Sequence, residues 1–381
     1  MLAFISLTAS QSAMAQQEGR DLIEWKVAVS LPASKNGNPH FGVAGAATGV
    51  HNDVLIVGGG ANFPERMPWL GGKKKYHNEV YVFQKDRHEF LKQFPASFKL
   101  PFHLAYSANC ATPKGVFVGG GEAENGVSNK AFLMQWDRRK KKIIYQSLPD
   151  LPVALTNASA TSDGSIVFLA GGENAEQALN SFYALDLNNI KAGWKTLPPL
   201  PKAISHAVLI AQSNKEGKSL YLAGGRKKNT GSVSTLYASV YAYDVKQGAW
   251  IEKQPLPYAL SAGTGVVLGD SGLLLLGGDK GTTFSKTEAL IAAIAQENDP
   301  VKKEALVQEK NSLQAAHPGF SNEVLLYNTH TNVWTPAGTI PFDVPVTTTA
   351  IPWGNCIIIP SGEIKAGVRT PQILAGHLKA Q

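Results

Sequence analysis

Apolar positions along this chain arrive in short uninterrupted runs rather than at helical spacing, and five of the runs end in a glycine pair. They are Leu55-Ile56-Val57-Gly58-Gly59, Val116-Phe117-Val118-Gly119-Gly120, Val167-Phe168-Leu169-Ala170-Gly171-Gly172, Leu220-Tyr221-Leu222-Ala223-Gly224-Gly225 and Leu274-Leu275-Leu276-Gly277-Gly278. A sixth, degenerate copy reads Ile357-Ile358-Ile359-Pro360-Ser361-Gly362. Short runs without alternation describe strands buried on both faces, and a glycine pair permits a sharp turn at positive φ. Successive copies lie 61, 52, 53, 53 and 84 residues apart. A second signal keeps the same rhythm, an aromatic followed seven positions later by proline: Trp25/Pro32, Phe94/Pro101, Tyr145/Pro152, Trp194/Pro201, Trp250/Pro257 and Trp334/Pro341. Between the two signals lie alternating, half-exposed segments such as Asn78–Phe83, Ser181–Asp186, Ser239–Asp244 and Asn322–Tyr327.

A period near 50 residues belongs to kelch-type blades, so six copies predict an all-β, six-bladed kelch-type β-propeller. Each repeated aromatic is expected to pack its ring on the next blade. The aromatic–proline strand Trp25–Pro32 has no glycine pair before it, and the segment Gln372–Leu378 has no aromatic–proline strand after it. Together they complete one blade, so the N-terminal strand is expected to pair with the three C-terminal strands and remove the open edges. The long spacing predicts a helical insertion at 280–320, in the loop between second and third strands. Thr283–His317 is rich in Ala, Glu and Lys; Ser285 with Glu288 fits a capping box, and Asp299-Pro300 fits a cap with a first-turn proline. The helices could cover the central mouth or merely dress an edge.

Composition narrows this picture only slightly. With 44% hydrophobic residues the chain is not disordered, and beyond the first residues no apolar stretch approaches the ~18 residues that span a bilayer. Two cysteines, Cys110 and Cys356, are too few for a disulfide scaffold and lack zinc spacing, so buried thiols are expected. The net charge of +7 suits anionic small molecules. The densest basic run, Arg138–Lys142, reads as a solvated turn, and with no aromatic platform beside it a nucleic-acid partner is not expected. Residues 1–15 pair a short apolar core with Ala13-Met14-Ala15, the layout of a secretory signal cleaved after Ala15, though without a basic leading region. The expected organisation is thus a signal at 1–15 and one propeller over 16–381, exported to the periplasm.

Propeller ligands bind where loops from several blades converge. The residues after the glycine pairs are Asn62, Glu122, Glu173, Arg226, Asp279 and Glu363, and the loops after the prolines add His40, His103, Asn157, His206 and Thr347. Any one of these could be an ordinary solvated loop residue; as a ring they favour a polar site. The most deviant copy reads Gly362-Glu363-Ile364-Lys365-Ala366-Gly367-Val368-Arg369-Thr370. A guanidinium offers a planar fork to a carboxylate and a Glu can shuttle a proton, so Glu363 and Arg369 could face one small ligand. Equally, they could form a salt bridge that only holds the loop.

That segment resembles the Gly-Glu-x-Lys-x-Gly-x-Arg-Thr motif of the kelch-type N-acetylneuraminate epimerases, or sialic acid mutarotases. Gly42-Val43-Ala44-Gly45 leading to Asn52-Asp53, the Gly58–Phe63 strand end and the helical insertion are similar too, so the resemblance covers essentially the whole chain after its first residues. In better-known members the motif lies mid-chain; here it lies in the last blade, the order of a cyclically permuted branch. The resemblance implies interconversion of the α- and β-anomers of N-acetylneuraminate by acid–base ring opening, with Glu363 and Arg369 as the catalytic pair and no metal or organic cofactor. Asn62, Arg226, His206 and Lys365 become candidates for the substrate-binding wall. The expected partner is this anionic sugar, and nothing in the sequence bears on oligomeric state. The alternative is a kelch module that binds an envelope glycan or protein without turnover. The Ser-x-Asp-x-Gly-x-Thr-Trp box of sialidases, which also use six blades, is absent.

Overall fold

Each glycine-terminated run becomes the second strand of an antiparallel sheet. The computed structural model describes residues 21–33, 37–86 and 91–379; the expected signal segment lies outside the described residues. The second strands are Val54–Gly58, Gly115–Gly119, Ile166–Ala170, Gly217–Ala223, Gly272–Leu276 and Cys356–Lys365. Among the described residues six blade sheets result, five of four strands and one whose fifth strand, Phe98–Lys99, pairs with Glu79–Lys85, beside three two-stranded ribbons. Apolar side chains on both faces of the second strands meet those of the neighbouring blades, so each blade–blade interface carries its own cluster. Leu274, Val324, Ile357 and Leu374 form one such cluster, and Val57, Phe83, Ile358 and Ile373 another.

The ring closes as the two end segments require. Ile23–Ser30 pairs antiparallel with Val368–Leu378, the sheet order being Ile23–Ser30, Val368–Leu378, Cys356–Lys365, Ile351–Trp353. Trp25 lies opposite Gly376, where a Cβ would come within 2.8 Å of the indole. A glycine is therefore needed there for the aromatic to seat.

A second closure runs around the axis and is made of backbone alone. Gly45, Tyr106, Asn157, His206, Ala262 and Thr347 occupy the same place in successive blades, all in the left-handed region with φ between 51° and 67°. Each N–H donates to the carbonyl of the preceding member: Tyr106 to Gly45 (2.7 Å), Asn157 to Tyr106 (2.9 Å), His206 to Asn157 (3.0 Å), Ala262 to His206 (2.9 Å) and Thr347 to Ala262 (3.3 Å). Gly45 donates to Thr347 at 2.7 Å and completes the circle. Five members are not glycine, and each holds about 1–2 kcal/mol of left-handed strain that the circle of bonds must offset. Gly45 is different: its Cβ would sit 2.5 Å from Tyr106 N and Cδ1. Gly45→Ala is expected to cost about 2 kcal/mol or more, read as a lower melting temperature; an unchanged one would mean the axial circle yields freely.

Two details differ from expectation. In the first two blades the left-handed pair is Gly59-Gly60 and Gly120-Gly121, one residue later than the repeat suggested. Phe94 packs on Trp136 of the next blade, ring centroids 5.2 Å apart, as expected, but three later aromatics reach the preceding blade instead: Tyr145 Oη donates to Lys99 O (2.7 Å), Trp194 Nε1 to Pro149 O (2.9 Å) and Trp334 Nε1 to Gln254 O (3.0 Å). Cys110 and Cys356 are both buried, and burial pushes the Cys110 thiol up to about 12.

The insertion is two helices, α1 (Thr282–Gln296) and α2 (Pro300–Ala315), between the second and third strands of the fifth blade. Asp299 caps α2 by accepting from the N–H groups of Val301 and Lys302. The expected capping box in α1 is not formed, because Gly281 is the N-cap and Glu288 instead accepts from Ser234 N and Oγ at 2.7 and 2.8 Å. That carboxylate ties α1 to the fourth blade. Among the described residues no helix is long and apolar enough to cross a membrane.

Candidate functional site

Two rings of equivalent positions build the mouth of the propeller. Each axial left-handed residue follows one that forms an antiparallel bridge to the residue after a glycine pair: Ala44 to Ala61, Ala105 to Glu122, Thr156 to Glu173, Ser205 to Arg226, Ser261 to Asp279 and Val346 to Glu363. The outer ring therefore carries four carboxylates and one guanidinium from five blades. Above the axial circle lies a cavity of about 430 Å³, a size suited to a small-molecule ligand. The helical insertion forms part of its wall through Thr283, Phe284 and Thr287 of α1 and Gln314 of α2, with His317 and Phe320 just beyond. Beneath the circle a narrower axial space of about 120 Å³ is lined by the first strands.

The deviant last repeat forms a hairpin at the cavity edge, with Glu363 opposite Arg369 in register. Its bend packs on the Pro68–Leu70 turn, and a Cβ on Gly367 would lie 2.6 Å from Pro68. Arg369 Nη1 stands 3.5 Å from Glu363 Oε1, which also accepts from Gly367 N–H at 2.7 Å. The guanidinium lies over the Phe63 ring at 4.8 Å, and its Nη2 is 3.5 Å from Tyr106 Oη. Arg369 is only 9% exposed, and among the described residues its buried Nε and Nη1 have no hydrogen-bond partner. Unpaired buried donors on a charged group are costly, so the geometry calls for an acceptor from outside the chain. The two sequence readings of this pair merge: the ions approach each other loosely, and both line the cavity.

A second guanidinium faces the same space. Arg226 lies over Phe284 of α1 at 4.6 Å, its Nη2 is 3.4 Å from His206 Nε2, and its buried Nε has no hydrogen-bond partner among the described residues. Burial, and then the Arg226 charge, hold His206 well below the usual imidazole range, so it is neutral. With Nε2 accepting from Arg226, its Nδ1–H donates to Ser205 Oγ at 3.0 Å. Ser205 in turn donates to Glu173 Oε2 at 2.9 Å, and Asn157 Nδ2 to Glu173 Oε1 at 3.0 Å. Glu122 is likewise occupied, by Lys74 Nζ and Tyr76 Oη, both at 2.8 Å. Burial and then the bond to Glu122 push the Tyr76 phenol up to about 12. Burial lowers His317, against the pull of Asp279 and Glu363, and its Nδ1 accepts from Gly319 N–H at 3.0 Å. The carboxylates of Glu122 and Glu173 are thus engaged within the protein, while both arginines keep unpaired donors.

Four of the six residues singled out in the sequence, Glu363, Arg369, Arg226 and His206, meet in this cavity. Asn62 and Lys365 are not among its lining residues. Asn62 is buried, donates to Gly42 O (2.9 Å) and lies 2.9 Å from His77 Nε2, so it fastens a loop. Lys365 sits one strand step beyond the pair, opposite Val368 at the hairpin tip. His40 and His103 also stay outside, bonded to Tyr81 and Glu124. Sequence reasoning missed Tyr106, Lys74, Phe63, Phe284 and His317. Tyr106 was findable: it follows Pro101 by five residues, as Asn157 follows Pro152 and His206 follows Pro201.

The buried imidazoles make stability pH-dependent. Burial, then His77, lowers His40 from 6.5 to about 4, with Glu79 opposing, and His206 lies lower than usual as well. Below about pH 6.5 the unfolded chain binds more protons than the folded one, so stability rises with pH in this window. The melting temperature should fall as pH drops from 6.5 toward 4, and fall less in His206→Asn, which keeps a side chain tolerant of left-handed backbone. Equal acid sensitivity in that variant would exclude His206 as a source.

The sequence profile of the N-acetylneuraminate epimerases matches residues 148–381, more than half of the chain. The chain belongs to the N-acetylneuraminate epimerase family. It is 30% identical over 229 residues to the N-acetylneuraminate epimerase of Brucella melitensis biotype 1, covering 59% of this chain and 57% of that relative. The enzymes of that name from Haemophilus influenzae strain 86-028NP and Salmonella typhimurium strain LT2 are each 29% identical, over 238 and 229 residues. The matched region spans 57% to 60% of the length of these epimerases. A solved structure titled "Structure of YjhT" superposes with a TM-score of 0.61 over 91% of this chain and 96% of that one, at 13% identity. That likeness bears on the propeller fold; family membership rests on the sequence match, which includes the Glu363–Arg369 hairpin.

Proposed function

We propose that the cavity binds N-acetylneuraminate and interconverts its α- and β-anomers, making this chain a sialic acid mutarotase. The observation that carries the reading is Arg369, whose buried Nε and Nη1 have no hydrogen-bond partner among the described residues although Glu363 Oε1 lies 3.5 Å from Nη1. A sugar carboxylate beside the anomeric carbon would give this guanidinium the acceptor it lacks and would bring the anomeric hydroxyl next to Glu363. Glu363 then takes the hydroxyl proton, the bond from anomeric carbon to ring oxygen breaks, and an open-chain ketone forms. Rotation presents the other carbonyl face, and the steps reverse. Anomerisation proceeds in water, so an acid–base contribution of about 10²–10⁴ suffices.

Arg226, held by neutral His206, supplies further donors on the far wall for the sugar's other polar groups. The names of the epimerases to which the chain is related support the substrate, and the net charge of +7 favours an anion. The reading extends to action in the periplasm, on the pattern of residues 1–15 alone. Freshly sialidase-released α-sugar, followed by proton NMR, should reach anomeric equilibrium faster with the protein than without it. An unchanged rate would remove the proposal.

A further inference from the structure

Ring opening needs two proton-transfer partners, one at the anomeric hydroxyl and one at the ring oxygen, and Glu363 is one of them. Arg369 cannot be the other, because a guanidinium does not deprotonate in proteins. We propose that Tyr106 is the second catalytic residue, a phenol that donates to the ring oxygen as the ring opens and recovers the proton as it closes. This rests on the mutarotase reading and assigns a residue outside the Glu363–Arg369 motif.

Three independent features of the fold converge on Tyr106. Its hydroxyl lies 3.5 Å from Arg369 Nη2, the guanidinium proposed to hold the sugar carboxylate, so it stands at the same end of the ligand as Glu363. Among the described residues that hydroxyl accepts from Arg369 and donates to no protein group, which leaves its proton for a ligand. The backbone is committed to this placement: Tyr106 is held at φ 56° in the axial circle. The glycine of that circle, Gly45, stands where the Tyr106 ring would collide with a Cβ at 2.5 Å. A bulky aromatic at positive φ is uncommon and persists where the surroundings enforce it.

The charges around the phenol suit donation. Lys74 Nζ sits 4.8 Å from the Tyr106 ring centroid, anchored by Glu122, and Arg369 sits at the hydroxyl. One cation over the ring and one at the hydroxyl therefore stand near the phenol on which negative charge develops as the proton leaves. The step balances without a co-reactant. Glu363 takes the anomeric hydroxyl proton, the carbonyl forms as the ring bond breaks, and the released electron pair on the ring oxygen takes the phenolic proton. On closure the phenolate removes the proton from that hydroxyl, and Glu363 returns its own to the carbonyl oxygen.

His317 is the competing donor, since Nδ1 accepting from Gly319 leaves its proton on Nε2. The test measures α-to-β exchange of N-acetylneuraminate for the unaltered protein, Tyr106→Phe and His317→Gln. Tyr106→Phe keeps the ring that fills the space above Gly45, and is expected to lower kcat about 10²-fold or more with little change in KM. Sugar affinity, read by titration, should stay within a few-fold of the unaltered protein's in this variant, which lost packing of the cavity would not preserve. Tyr106→Asn, matching the residue at position 157, is the second variant should the first fail to fold, and should lose the same activity. Full kcat in either folded variant, or loss in His317→Gln alone, overturns the assignment to Tyr106. No acceleration by the unaltered protein overturns the mutarotase reading and this proposal with it.

Discussion

Arg369→Ala is expected to lower kcat/KM for anomer interconversion by about 10³-fold or more, the largest catalytic effect of any single substitution in the cavity outside Glu363. The guanidinium is buried, lies over Phe63 and among the described residues carries two nitrogens without a hydrogen bond, Nη1 only loosely approached by Glu363, so part of its donor capacity is open to a ligand. Removing one partner of a buried, hydrogen-bonded charge pair costs about 2–5 kcal/mol, and the loss here falls on an ion held at the reacting end of the sugar. Arg369→Lys should recover only part of the activity, because an ammonium keeps the charge but not the planar fork. Glu363→Gln should retain binding and lose turnover, since the amide preserves the shape and the bond from Gly367 must be remade to its carbonyl oxygen. Steady-state rates and sugar titrations on the three variants separate these outcomes. An Arg369→Ala protein with undiminished kcat/KM would place the carboxylate site elsewhere, and Arg226 would be the remaining guanidinium in the cavity.

Deleting residues 21–32 is expected to abolish the cooperative fold rather than trim it. The segment contributes Ile23 and Trp25 to the cluster between the fifth and sixth blades, and Leu31 to the one between the sixth and first. Burial of such side chains is worth about 1.5–3 kcal/mol each, and their combined loss approaches the whole stability of an ordinary domain. Deletion would also expose Val368–Leu378 as a long unpaired edge, which invites aggregation. That strand carries Arg369, so the site should be lost along with the ring. The axial circle of backbone bonds is the competing source of closure. If the truncated protein melts at the same temperature as the full chain, the axial circle alone holds the ring and the pairing of the end strands is dispensable.

Much of this was legible in the sequence because it depends on side-chain type repeated at a fixed interval. Glycine pairs, apolar runs and outer aromatics each report a local demand that recurs in every blade, and the unmatched ends at Trp25 and Gln372 reveal the closure. The Glu363–Arg369 hairpin stood out because it broke the rhythm. The axial circle was not legible: its members are Gly, Tyr, Asn, His, Ala and Thr, and a bond between backbone groups places no common requirement on side chains. Tyr106 was passed over for His103 for that reason. Asn62 and Glu288 were misplaced because tertiary partners, Gly42 and Ser234, claim side chains whose sequence neighbours suggested a ligand wall and a helix cap.

The most direct test of the account is NMR exchange spectroscopy on an equilibrated solution of N-acetylneuraminate. At equilibrium no net conversion occurs, so cross-peaks between the α and β signals report catalysed interconversion alone. The unaltered protein should produce exchange cross-peaks that vanish in Glu363→Gln while the sugar still binds. Sugar binding by the unaltered protein with no exchange above the protein-free rate would contradict catalysis and leave a propeller that only holds its ligand.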